Sequence, residues 1–144
     1  MALPGEFYTL KLMQSEAQEF HKWAKDAGNK LRAYVLSYAS GATAVFFLAL
    51  TGKEMETFTA AEQTLLIAAL LMFVSTAVLC LYELNVDARR CFYIAKQLEL
   101  PPPKQSWAEN DAFKRLRLRL IYGSYATAIL ATAAVVGFLI LRIT

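Results

Sequence analysis

Three stretches of the chain, residues 33–50, 64–82 and 120–141, contain no Asp, Glu, Lys, Arg or His. At about 18, 19 and 22 residues they reach roughly 27–33 Å as helices, against a hydrocarbon core of about 30 Å. A soluble amphipathic helix would break each run with a polar residue every third or fourth position. Charge outside the runs is ordinary: 57 % of residues are apolar, yet 19 % are charged, so apolarity comes in blocks. The chain is therefore expected to be an all-α integral membrane protein. Residues 1–144 form one helical membrane domain of three long antiparallel helices, each part transmembrane and part cytosolic.

The net charge of +3 is too small to argue for nucleic acid as a partner, but its distribution gives a topology. The 53–62 connection carries Lys53 against Glu54, Glu56 and Glu62. The 83–119 connection carries Arg89, Arg90, Lys96, Lys104, Lys114, Arg115, Arg117 and Arg119, and Lys30 and Arg32 precede the first span. The positive-inside rule then puts the N-terminus and 83–119 in the cytoplasm, with the 51–63 loop and the C-terminus outside. Arg142 is expected to snorkel to the outer interface. Residues 1–30 lack the pattern of a signal or transit peptide, so the first span is expected to direct insertion. Cys80 and Cys91 lie eleven residues apart on one helix, about 16 Å, too far to bridge. Cys91 reads as a small buried residue before it reads as a lipidated one.

The helices are expected to outrun the membrane. Over 6–31, Leu10, Met13, Ala17, Phe20, Ala24, Ala27 and Leu31 follow a 3-4 spacing, a coiled-coil seam, with Gly28-Asn29 a place where the helix can be interrupted. Thr59 and Glu62 form a capping box that opens the second helix. That helix continues over 83–99 with Leu84, Ala88, Cys91, Ala95 and Leu98 as its apolar stripe, and Pro101-Pro102-Pro103 ends it. Ser106 and Glu109 suggest a second capping box for a last helix over 107–141, with Phe113, Leu116 and Leu120 on one face and the cations around the rest. The three cytosolic stripes would bury one another.

Chemistry is sparse. His21 is the sole histidine and has no nucleophile or acid partner in any motif, so catalysis is not expected. No metal-ligand cluster or glycine-rich phosphate loop is present, and no cofactor is implied. The basic run Lys114, Arg115, Arg117 and Arg119 reads first as a topology signal attracted to lipid headgroups, and second as a site for an anionic ligand such as a nucleotide. The uncharged spans argue against a coupled ion transporter. What they carry is small residues: Ser37, Ser40, Gly41 and Ala44 in the first, Gly123, Thr127 and Ala131 in the third, with Ala133 and Gly137 beyond. Such rows let helix backbones approach, within one chain or between copies. In a ring of copies, Ser37, Ser40, Ser124 and Thr127 are candidate pore-lining residues.

This layout (the 10–31 seam, a 33–82 hairpin with its 51–63 loop, and a helix continuing to residue 99) resembles the small transmembrane effectors of prokaryotic immune systems, including SLATT-type domains. The third span at 120–141 departs from their two-span plan. The resemblance implies a homo-oligomer that impairs the membrane on activation during infection, with membrane lipids as its surroundings. Two alternatives stand beside this membrane-perturbing or channel-like effector. One is a membrane adaptor recruiting a cytosolic protein partner through the N-terminal seam and Trp23; the other is a sensor of anionic lipid or nucleotide through residues 114–119.

Overall fold

The computed structural model describes residues 4–52 and 57–143, with side chains from residue 19 onward except that of His21. Three helices account for nearly all of it: α1 (Pro4–Thr51), α2 (Ala60–Leu98) and α3 (Ala108–Ile143), with a short 3-10 turn at Pro102–Lys104 between the last two. There is no strand among the described residues. Each helix contains a stretch long and apolar enough to cross a bilayer, which fits an integral membrane protein.

By compactness the chain divides into Met1–Tyr34 and Val35–Thr144, a boundary that falls inside α1. In the first unit the helix continues through Gly28-Asn29 without interruption. There Arg32 donates to the Gly28 carbonyl oxygen at 3.2 Å and also reaches Asn29 Oδ1, satisfying polar groups where the glycine exposes backbone.

In the second unit α2 and α3 form an antiparallel hairpin. Its seam repeats at 3-4 spacing on both helices, the period that keeps one face of each helix toward its partner. On α2 it runs Glu62, Leu66, Ala69, Phe73, Thr76, Cys80, Glu83 and Val86, all buried. On α3 it is Asn110, Ser124 and Ala131, buried, with the half-buried Phe113, Arg117, Leu120 and Thr127 between them. Residues 35–51 of α1 meet this hairpin in one layer. Ala39 is buried together with Ala69, Phe73 and Ala131, and Ala42, Phe46, Met72, Ala77, Ala134 and Val135 pack around them. The Phe73 ring takes Tyr38 edge-on at 5.4 Å and Phe46 stacked at 5.8 Å, both favourable aromatic distances.

The start and stop signals act as their chemistry directs, with one exception. Thr59 and Glu62 make the reciprocal capping box, and the proline run ends α2 at Leu98. The second box does not form: α3 begins at Ala108, and Ser106 is tied to α2 instead. Its N–H donates to Gln97 Oε1 at 2.8 Å and its carbonyl oxygen accepts from the Tyr93 hydroxyl at 2.6 Å.

The α2 stripe is also corrected. Leu84, Ala88, Cys91, Ala95 and Leu98 are all exposed, because α3 takes the neighbouring face that carries Glu83, Val86, Arg90 and Gln97. Cys91 is thus exposed, whereas Cys80 is buried.

Candidate functional site

Two features of the second unit stand out: a charged cluster where α2 and α3 leave the uncharged runs, and the opposite placement of the small-residue rows of α1 and α3.

Glu83 follows the uncharged 64–82 run directly and is 1 % exposed. A carboxylate so placed requires a cation and donors, since an isolated buried charge costs several kcal/mol. Arg117 of α3 supplies them: its Nε donates to Glu83 Oε1 at 2.5 Å, and its Nη1 lies 2.9 Å from Asp87 Oδ1. Asp87 also faces Arg90 at 3.8 Å, and Arg90 Nε donates to Asn110 Oδ1 at 2.8 Å. Two carboxylates and two guanidiniums therefore cancel across the α2–α3 seam. One turn further out the Tyr93 and Phe113 rings meet at 6.2 Å.

This placement splits the basic run of α3. Arg117, expected among the cations ringing the helix, turns inward, because Glu83 and Asp87 stand opposite it on α2. Lys114 pairs with Asp111 one turn before it at 3.3 Å. Arg115 and Arg119 are exposed and make no ion pair or hydrogen bond among the described residues.

The other end of the hairpin is closed by a smaller cluster. Glu62 Oε2 accepts from the Thr59 N–H at 2.6 Å and from the Thr59 hydroxyl at 2.9 Å. These two hydrogen bonds, backbone first, hold its carboxyl below the ordinary range, with Arg142 adding a smaller attraction. Arg142 lies 3.8 Å from Glu62 Oε1 and 5.1 Å from the centre of the Phe58 ring. Phe58 in turn meets Phe138 edge-on at 5.6 Å. The terminal arginine expected to snorkel thus folds onto the helix start beside it.

The small-residue rows part company. In α3, Ala131 and Ser124 are buried, and a Cβ on Gly123 would stand 3.6 Å from the Leu79 side chain. Thr127 lies 2.8 Å from Thr76 across the seam, hydroxyl to hydroxyl. Each hydroxyl also reaches carbonyl oxygens of its own helix (Met72 for Thr76, Gly123 and Ser124 for Thr127), so one donates across the seam and the other donates back. The Ser124 hydroxyl donates to the Ile121 carbonyl oxygen at 2.8 Å. Gly123, Thr127 and Ala131 therefore serve packing within the chain. In α1, Ser37, Ser40, Gly41 and Ala44 are all exposed, and a Cβ on Gly41 would meet nothing within 4 Å. That row lies on the side of α1 away from Ala39, Ala42 and Phe46, the residues turned to the hairpin.

Of the N-terminal seam, the side chains of Leu10, Met13 and Ala17 lie outside the described residues, as does His21. Phe20, Ala24, Ala27 and Leu31 are exposed, and Phe20 meets Trp23 edge-on at 5.4 Å. Among the described residues no three His, Cys, Asp or Glu side chains gather to hold a metal.

The charged cluster was open to sequence reasoning. In a hairpin turning at the proline run, residues equidistant from about position 100 face each other, which pairs 83 with 117 and 90 with 110. No protein-family model, curated protein or solved structure matches the chain.

Proposed function

We propose that the protein is a non-enzymatic integral membrane protein whose copies associate through α1 into a membrane-perturbing or channel-like assembly, in keeping with the effector layout noted from the sequence. The observation that carries this reading is the outward small-residue row of α1. Ser37, Gly41 and Ala44 leave a smooth strip on a membrane-spanning helix, while the comparable row of α3 is consumed inside the chain. Lipid tails are as apolar as leucine side chains, so helices associate in bilayers mainly where small residues allow close backbone approach. In a ring built on that strip, Ser37 and Ser40 are the hydroxyls left to line a lumen, since Ser124 and Thr127 face α2 or their own helix. The N-terminus and residues 83–119 lie in the cytoplasm in this reading, and reporter fusions at residues 56 and 105 should report opposite compartments.

Mass determination in nanodiscs tests the association. Wild-type chain should run as a multiple of the chain mass, and Gly41→Leu with Ala44→Leu should reduce it to one copy while the fold is kept. A single copy for the wild type, or an unchanged multiple for the variant, refutes the interface. Triggered expression in a bacterium should collapse the membrane potential, and an unchanged potential with correctly inserted protein refutes the perturbing role.

A specific feature favours the adaptor as the second reading. Phe20 and Trp23 stand 64 % and 60 % exposed on α1, an aromatic pair suited to a protein partner. Stoichiometric co-purification of one partner, lost when Met13 and Phe20 are made polar, would establish it.

A further inference from the structure

We infer that the outward face of α3 at the start of its span binds the headgroup of an anionic phospholipid, with Arg115 and Arg119 as its cations and Tyr122 at the glycerol level. Arg115, Arg119 and Tyr122 stand at i, i+4 and i+7, on one side of the helix over two turns, about 10 Å. That side is opposite Arg117, whose guanidinium is spent on Glu83 and Asp87 across the seam. Below Tyr122, which is 65 % exposed, the same face continues as Ile129 at 69 %, Val136 at 49 % and Ile140 at 59 %. An apolar strip of that length suits acyl chains, and the two arginines at its head supply the charge complementarity for a phosphate.

The division of labour among the four cations is what makes the face selective. Lys114 is partly neutralised by Asp111, and Arg117 is fully engaged, so Arg115 and Arg119 carry the positive field outward. Arginine also suits a phosphate better than lysine, because its planar fork can present two parallel N–H donors. The tyrosine hydroxyl and ring sit where amphipathic aromatics sit at a membrane interface. This inference rests on the membrane-spanning reading alone and stands whether or not copies associate.

The test uses the full chain purified in a zwitterionic detergent, with thermal melting followed as phosphatidylglycerol or phosphatidylcholine is titrated in. Phosphatidylglycerol should raise the midpoint and phosphatidylcholine should not. Arg115→Gln with Arg119→Gln should weaken the response about 25-fold in lipid concentration, roughly fivefold per cation, and Arg115→Lys with Arg119→Lys should restore most of it. Added salt should erode the wild-type response. Equal responses to the two lipids, or an undiminished response in the glutamine variant, overturns the inference. Equal stabilisation by inorganic phosphate at the same concentration also overturns it, by making a soluble anion the ligand. Both substitutions lie on the exposed face, so the variant's midpoint without added lipid should match the wild type.

Discussion

The α2–α3 hairpin and residues 35–51 of α1 occupy the same unit, yet they are joined in different ways. The hairpin is fastened at successive levels along its length. These are Arg142 to Glu62, Thr76 to Thr127, Glu83 and Asp87 to Arg117, Arg90 to Asn110, and Gln97 and Tyr93 to Ser106. Among the described residues the α1 segment meets the hairpin through an apolar layer around Phe73 and a hydroxyl contact, Tyr38 to Thr132 at 3.0 Å. Directional polar pairs fix the register of two helices, whereas an alanine-rich layer permits close approach and specifies little. The hairpin is therefore the more firmly fastened part of the unit, and Ser37, Ser40, Gly41 and Ala44 on the outer face of α1 are exposed.

The largest expected effect comes from unbalancing the charged cluster. Arg117→Leu leaves Glu83 buried without its main cation and should lower stability by about 3–5 kcal/mol, read as a large fall in the thermal midpoint in detergent. Adding Glu83→Leu to that variant should recover much of the loss, because burying neither charge is far less costly than burying one. An unaltered midpoint for Arg117→Leu would mean that the hairpin is not fastened there.

Phe73→Ala should come next, at about 3 kcal/mol, since the ring holds both Tyr38 and Phe46. Its distinguishing readout is hydrogen exchange. Residues 35–51 should lose protection while residues 80–120 keep theirs, and uniform loss would break the contrast between the two regions.

Thr127→Ala should cost only about 0.6 kcal/mol, the usual worth of a hydroxyl pair between helices in lipid. Thr76 then still donates to the Met72 carbonyl oxygen.

The Glu62 cap gives the most local effect, and its sign is fixed. A carboxyl held below its ordinary pKa of 4.5 contributes fully above that value and is lost as the pH falls through the lowered one. The first turn of α2 should fray in acid, and Glu62→Gln should flatten that dependence, both measured by exchange at residues 60–66.

Helix number and the two helix ends at Thr59 and Pro101 were legible because each rests on local chemistry: uncharged length, a capping pair, missing donors. The packed faces were harder to read. Apolar spacing alone is a poor guide to facing here, since Leu84, Ala88 and Leu98 form a tidy stripe that nevertheless points outward. A better guide lay in the polar residues. Glu62, Thr76, Glu83, Arg90 and Gln97 recur at multiples of seven along α2, and each has a partner on α3 or in the segment leading into it. Polar groups on a helix that crosses lipid gain most by turning inward, so their period marks the seam that leucine spacing hid. The same reasoning divides the small-residue rows. Ser124 and Thr127 sit on the seam period of α3, while Ser37 and Gly41 lie off the face of α1 that carries Ala39 and Phe46.

Fastening at both extremes has a consequence for the bilayer itself. Along α3 the two arginine clamps, Arg117 and Arg142, are separated by twenty-five residues, about 37 Å of helix. The pair of helices behaves as a bolt of set grip length and cannot shorten by sliding one rod past the other. In a thinner membrane the remaining adjustments are leaning as a single piece or locally thickening the lipid around it.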